Sequence, residues 1–169
     1  MLFRSSAGKT WSFRTIASVT ATPAAVTIQS GSVRSGGPAD LSANDNSFYQ
    51  VSSTSSKTYK AYWYGTVNGV SNALRTLSVT YRGKNSASCT QTLWIYNWTK
   101  GSWIQLDSRS VGTTEVAIQK SPTGTTGALA EFVSGSSGDG DVRIRVRASR
   151  SSGRFYSSGD LMTASFTAP

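Results

Sequence analysis

The sequence contains no histidine and a single cysteine, Cys89. The missing histidine removes Ser-His-Asp and Cys-His catalysis and every zinc site that needs an imidazole. The lone cysteine cannot form an intrachain disulfide or a thiolate metal cluster, and it is neutral about the compartment. Cys89 reads as a small strand-edge residue rather than a nucleophile. Acidic residues number only eight: Asp40, Asp45, Asp107, Glu115, Glu131, Asp139, Asp141 and Asp160. A glycosidase needs two carboxyls about 5–10 Å apart, and the spacing singles out no such pair, so the chain is not expected to be an enzyme. The Gly-rich stretch 135–140 lacks the Lys and the strand–helix setting of a phosphate loop.

Long apolar runs are absent too. Nothing approaches the roughly 18 residues of a membrane-spanning helix. Met1 to Thr20 lacks the apolar core, about 7–15 residues long, of a signal peptide, and none is expected there. No window sustains a 3.6-residue apolar repeat, which excludes a helical protein.

What remains is a chain of 169 residues, 11% aromatic, with 16 glycines and only 15% charged residues. This is the profile of an extracellular-type β-sandwich. The most informative stretch runs from Gln91 to Asp107. Two runs of period-2 alternation flank a short loop ending near Gly101, which reads as a β-hairpin. Pairing Trp98 with Trp103 sets Tyr96 against Gln105 and Ile95 against Leu106. One face then carries Leu93, Ile95, Ile104 and Leu106. The other carries Trp94, Tyr96, Trp98, Trp103 and Gln105. The aliphatic face is expected in the core. The aromatic face is a candidate stacking platform for sugar rings; the alternative is that it packs under a loop or against a second sheet.

Along the rest of the chain, residues 1–24 read as an extension, a linker or an assembly arm, with Trp11, Phe13 and Ile16 on a polar background. Ala24 to Val33 reads as the first core strand. Tyr59 to Val67 is a strand aromatic on both faces, followed by a turn at Asn68-Gly69. Leu77, Val79 and Tyr81 mark a strand with one wet face. Val116 and Ile118 mark another, and Ala128 to Val133 alternates as a further strand. Val142, Ile144, Val146 and Ala148 alternate with Arg143, Arg145 and Arg147. A last strand, Leu161 to Ala168, follows a turn at Ser158-Gly159. The expectation is an all-β, antiparallel two-sheet sandwich, a jelly roll, of about nine to eleven short strands occupying residues 25–169. Its core is expected to hold Leu77, Val79, Ile95, Leu106, Val142, Ile144 and Val146.

Lys and Arg together number 17, giving a net charge of +9. That balance favours an acidic partner. The row Arg143, Arg145, Arg147 puts three guanidinium groups on one side of a strand, about 7 Å apart. Such a row suits carboxylate, sulfate or phosphate. The alternatives are a solvated face, or neutralisation by Glu115 or Glu131. Asn44-Asp45-Asn46 and Asp139-Gly140-Asp141 offer hard oxygens of the kind Ca²⁺ uses, in competition with plain turn chemistry. Asn44, Asp45, Asp139 and Asp141 are therefore the candidate metal ligands.

Four stretches carry a resemblance. They are Asn44 to Val51, Leu77 to Ser86, Trp103 to Arg109, and Gly138 to Val146. Together they resemble jelly-roll modules of the galactose-binding-like type, which are appended to secreted bacterial hydrolases and surface proteins. The similarity covers about residues 26–168. It implies a non-catalytic accessory module that binds carbohydrate, outside the cell or at its surface. It also implies a structural Ca²⁺, without fixing its ligands; no other cofactor is expected. The expected partner is a polysaccharide, with an acidic one suited to the arginine row. Nucleic acid and membrane insertion are not expected. The competing reading is a structural subunit of a surface filament or a particle-decoration assembly. Its copies would join through residues 1–24 into a homo-oligomer.

Overall fold

The computed structural model describes residues 16–169. Eleven strands are present: β1 Ser18–Ala21, β2 Ala25–Ser30, β3 Ser32–Ser35, β4 Tyr49–Ser52, β5 Tyr59–Ser71, β6 Thr76–Asn85, β7 Cys89–Asn97, β8 Ser102–Val111, β9 Val116–Lys120, β10 Asp139–Arg150 and β11 Tyr156–Thr167. Two short 3₁₀ turns, Pro38–Leu41 and Leu129–Phe132, interrupt them. The strands form two antiparallel sheets. One runs β3-β4-β11-β6-β9, with β1 paired to the far half of β11. The other runs β2-β5-β10-β7-β8. The all-β sandwich expected from the alternation is what the chain forms.

Period-2 burial explains the two layers. Val142, Ile144, Val146 and Ala148 of β10 are fully buried, as are Trp63 and Val67 of β5 and Ile95 of β7. They meet Val79, Tyr81, Met162 and Ala164 of the opposing sheet in one cluster. Trp63 is its largest member, edge-on to Tyr49 at 5.0 Å and to Tyr81 at 6.1 Å. A Cβ on Gly159 would lie 2.8 Å from Leu41 and 3.0 Å from Trp63, so any larger residue would press on this ring and on Leu41 where β11 passes them. Of the expected core set, Leu106 alone is half-buried, packed against the cluster's rim.

Four local expectations need correction. The hairpin closes with Asn97 opposite Ser102, so that Tyr96 faces Trp103 and Ile95 faces Ile104. The cause lies in Trp98, whose N–H is donated to the Glu131 carbonyl at 2.7 Å and cannot join the ladder. Asn97 Oδ1 accepts from the Lys100 N–H, and Gly101 takes a left-handed φ of 64°. From Trp94 to Asn97 the slip is two residues, which preserves side-chain parity; the register shifts again between Leu93 and Trp94, and Leu106 still packs against the core. Ala128 to Val133 is not a strand. Glu131 and Phe132 are consecutive and both buried, which strand alternation forbids, and Leu129–Phe132 turns as a 3₁₀ element. Asn68-Gly69 does not end its strand; the two residues bulge out between Val67 and Val70 while β5 continues to Ser71. Ser158-Gly159 lies inside β11, whose register with β6 shifts between Gly159 and Leu161.

Residues 1–15 of the expected extension lie outside the described residues. Ser18–Ala21 adds to its own chain's sheet, with Ser18 opposite Thr167. No helix among the described residues is long and apolar enough to cross a membrane.

Candidate functional site

The outward face of the five-stranded sheet gathers the side chains that alternate with the core. From β10 come Arg143, Arg145 and Arg147. From β5 come Tyr62 and Tyr64, which pair in register with Arg147 and Arg145. From β7 come Trp94, opposite Arg145, and Tyr96. Trp103 of β8 lies opposite Tyr96, and exposed Gln105 lies opposite Trp94. The central strand thus supplies cations, and its two neighbours supply rings.

Cations and rings stack. Arg147 sits 4.2 Å from the Tyr62 centroid and 5.8 Å from Trp94. Arg145 lies 4.9 Å from Trp94 and 4.2 Å from Trp103. Arg143 lies 4.6 Å from Trp98, 5.4 Å from Tyr64 and 5.9 Å from Tyr96. Trp103 bridges the face, 5.6 Å from Tyr64 and 5.1 Å from Tyr96. Each such cation–π contact contributes about 0.5–2 kcal/mol, the upper end when desolvated. The Trp94 indole N–H donates to Thr92 Oγ1 at 2.8 Å, fixing that ring.

This packing corrects the picture of a solvated arginine row. Arg145 is only 9% exposed. Burial, and then the positive charge of Arg147, pull its guanidinium down to about 10, still protonated at neutral pH. Its hydrogen bonding is sparse: Nη1 reaches Gln29 Oε1 at 3.5 Å, and Nε has no partner, like the Nε of Arg143. Neutralisation by Glu115 or Glu131 does not occur. Glu115 is engaged by Arg82 at 2.7 Å. Ion pairs among the described residues are Arg82–Glu115, Arg109–Asp107 and Lys120–Asp107, none of them on this face. Beside Arg147 lies a depression of about 210 Å³ lined by Tyr62, Thr90, Thr92, Trp94 and Ser149.

Glu131 instead holds a loop. Its carboxylate accepts from the backbone N–H and hydroxyl groups of Thr125 and Thr126 and from Asn97 Nδ2. These donors hold it well below the usual carboxylate range, the Thr126 hydroxyl first among them. Asn97 Nδ2 ends on the Glu131 carboxylate and the Trp98 N–H on the Glu131 backbone carbonyl, so this one buried residue holds both ends of the Asn97-Trp98 step.

The rings of the hairpin all belong to this outer face and none faces the second sheet; Trp98 alone is drawn toward the Leu129–Phe132 turn, and its indole nitrogen is buried without a partner. Tyr62 and Tyr64 were missed as site residues. Their signal was the aromatic run Tyr59–Val67, in which Trp63 turns in and its neighbours turn out. The candidate metal ligands sit apart in the topology. Asp45 Oδ1 accepts from the Ser47 N–H as turn chemistry, and the Asp45 and Asn46 N–H groups point to Asp160 of β11. Asp139 and Asp141 begin β10 in the other sheet, where the Asp141 N–H donates to Ser134 Oγ. Among the described residues no group of three or more Asp, Glu or Cys side chains is placed to hold a metal ion. Cys89 is buried, and burial pushes its thiol up to about 11, which leaves no thiolate at neutral pH.

The fold and this face define a β-sandwich with an arginine–aromatic sheet surface. No protein-family profile matches the sequence, and no curated protein matches it. Solved structures similar in architecture are carbohydrate-binding modules. TmCBM61, in complex with β-1,4-galactotriose, aligns over 87% of this chain and 86% of its own, at 9% identity and a TM-score of 0.48. A family 29 carbohydrate binding module aligns over 89% and 90%, at 12% identity and a TM-score of 0.40. A CBM4 structure aligns over 68% and 92%, at 12% identity and a TM-score of 0.38. These are likenesses of strand arrangement.

Proposed function

We propose that this chain is a non-catalytic binding module, working outside the cell or at its surface. In this reading it holds a polysaccharide against the outward face of the five-stranded sheet. The observation that carries it is the row Arg143, Arg145, Arg147, set among six aromatic rings with no acidic partner. Cations kept in a partly desolvated place without a carboxylate are suited to an anion that arrives from outside. Half-buried rings around them offer flat apolar area to the C–H faces of sugars. An acidic polysaccharide combines both, and the residues that build the face include no carboxylate to repel it or to act as a catalytic acid.

The test is affinity for an acidic and a neutral polysaccharide, from low to roughly physiological salt. The parent is compared with a variant carrying Arg143→Gln, Arg145→Gln and Arg147→Gln. The acidic polymer should bind the parent tightly, with a salt dependence that the variant has lost. Equal affinities and equal salt slopes for a folded variant exclude the face.

One observation favours the second reading, a structural subunit. The large apolar side chains exposed among the described residues are Ile16, Val19 and Val33. Val19 and Val33 belong to β1 and β3, which both lie on the same side of β11. An open edge with apolar side chains invites an added strand from a neighbour. Sedimentation of the full chain and of a form lacking residues 1–24 separates the two readings. A loss of oligomer on deletion favours assembly.

A further inference from the structure

The six-stranded sheet carries a second recess, on the opposite side of the sandwich from the arginine–aromatic face. A cleft of about 740 Å³ lies between the β3–β4 edge and the Arg154–Tyr156 segment. Its cations are Arg34 and Arg154. A smaller recess of about 220 Å³ adjoins it, sharing Ser86 and Tyr156 and adding Lys84. Tyr156 thus divides one groove with three cations along it. No Asp or Glu lines either part, and none of the three cations takes part in the ion pairs found among the described residues.

The groove is ordered by its own hydrogen bonds. The Phe155 N–H donates to Ser53 Oγ at 3.1 Å and the Tyr156 N–H to Ser86 Oγ at 2.9 Å, which fixes the wall that carries the Tyr156 ring. Arg34 sits with its guanidinium carbon over that ring, 4.4 Å from its centroid. Stacking holds a guanidinium plane in place and leaves its N–H fork free at the edge. Lys84 is steadied in the same manner by Phe48, at 4.5 Å. Ser32, Ser52, Ser55 and Ser56 also line the cleft, and no side-chain hydrogen bond among the described residues engages their hydroxyls.

We infer that this groove binds a sulfate or phosphate ester borne on a hydroxylated carrier. A tetrahedral oxyanion presents three acceptor oxygens, enough for the Arg34 fork and a second cation at once. A carboxylate can bridge two cations as well, as Asp107 does for Arg109 and Lys120, but only the tetrahedral group keeps a third oxygen for a serine hydroxyl. The unengaged serine hydroxyls then meet the hydroxyl groups of the carrier. The site is on the other sheet from the arginine–aromatic face and does not rest on the reading of that face.

The experiment is a low-salt NMR titration of the full chain, followed at the Tyr156 amide and the Arg34 side chain. The ligands are glucose 6-sulfate, glucose 6-phosphate, inorganic sulfate, inorganic phosphate and glucose. At least one ester should bind more tightly than its free ion and than glucose, and the two esters distinguish a sulfated carrier from a phosphorylated one. The double variant Arg34→Gln and Arg154→Gln, at exposed positions, should weaken ester binding at least about tenfold, as expected for loss of charge-assisted hydrogen bonds. Trp103→Ala, on the opposite face, should leave it unchanged. Free ions as tight as the esters, glucose as tight as the esters, no binding of any ligand, or a double variant equal to the parent would each overturn the inference. A loss of polysaccharide binding in Trp103→Ala alone bears on the arginine–aromatic face and not on this groove.

Discussion

The two sheets alternate in the same way, yet they turn opposite chemistry outward. On the six-stranded sheet, outward groups find each other. Thr20 bonds Ser165 and Thr76 bonds Thr167, each at 2.8 Å, Gln119 donates to Ser78 at 3.2 Å, and Arg82 pairs with Glu115. On the five-stranded sheet, three arginines lie against rings with no acid, and two of their Nε atoms have no acceptor. Away from the groove beside Tyr156, the first surface is closed by its own hydrogen bonds. The second spends burial on charge that nothing in the described chain neutralises. That difference, rather than either surface alone, is what supports the proposed site, since polar groups left unmatched in a partly desolvated place are costly to keep.

The strongest way to break the comparison is to show that outward and inward positions on β10 matter equally to the fold. Ile144 is fully buried between the sheets. Its replacement by Ala should cost about 2–5 kcal/mol, read by denaturant unfolding. Arg145 is its neighbour on the other side. Arg145→Met keeps the stacked stem while removing the desolvated charge, and it should stay within about 1 kcal/mol of the parent while losing affinity for acidic polysaccharide. A loss for Arg145→Met as large as for Ile144→Ala would make the ladder a part of the core.

Acid separates two buried carboxylates that serve different ends. Glu131 has a lowered pKa because threonine and backbone N–H groups bond its charged form. Its contribution is present above the ordinary glutamate range and fades as pH falls through it toward the lowered folded value. Asp160 is raised, first by burial, and one of its oxygens has no partner. Burial disfavours its charged form, so its folded pKa lies above the unfolded one. Its contribution is greatest at low pH and declines as pH rises from the ordinary aspartate range through the raised folded value. Melting temperatures against pH should therefore flatten on the acid side in Glu131→Gln, and Asp160→Asn should remove a trend of the opposite sign. Identical pH profiles for the two variants would refute both assignments.

Trp103→Ala comes next in size. The ring is half-buried and touches Arg145, Tyr64 and Tyr96, so a loss of roughly 1–3 kcal/mol is expected from area and cation–π contact together. Polysaccharide binding should fall with it. Binding that survives a folded Trp103→Ala would move the ligand away from this face.

Much of this was legible in the sequence because period-2 alternation is strictly local. It assigned Ile95, Val142, Ile144 and Val146 to the inside, and Trp94, Tyr96 and the arginines to the outside. Neither residue spacing nor charge count could show which strands lie beside β10. The arginines read as a solvated row for that reason: their cover comes from Tyr62 and Tyr64, some 80 residues earlier, and from Trp94 and Trp103, some 45 residues earlier. The hairpin register was misread because the group that moves Trp98 off the ladder is the Glu131 carbonyl, on a segment whose own alternation imitated a strand. In both cases the deciding contact was long-range, and the local pattern held no trace of it.

The smallest expected effect sharpens the comparison most, because it predicts near-silence on one face and not on the other. Ser165 and Thr76 stand on the outward face of the six-stranded sheet, each bonded to an exposed hydroxyl across the strands. Removing one such hydroxyl leaves its partner free to bond water, so no buried donor is orphaned. Ser165→Ala and Thr76→Val together should shift stability by no more than about 0.5 kcal/mol and leave polysaccharide binding untouched. Arg147→Gln is a substitution of similar modesty on the opposite face. It removes one cation from beside Tyr62 and Trp94, and it should weaken the acidic polymer and reduce the salt slope by about one unit-charge contact, with little change in melting temperature. If the hydroxyl variants alter binding and Arg147→Gln does not, the ligand lies on the six-stranded sheet, and the unpaired arginines are a packing device between strands.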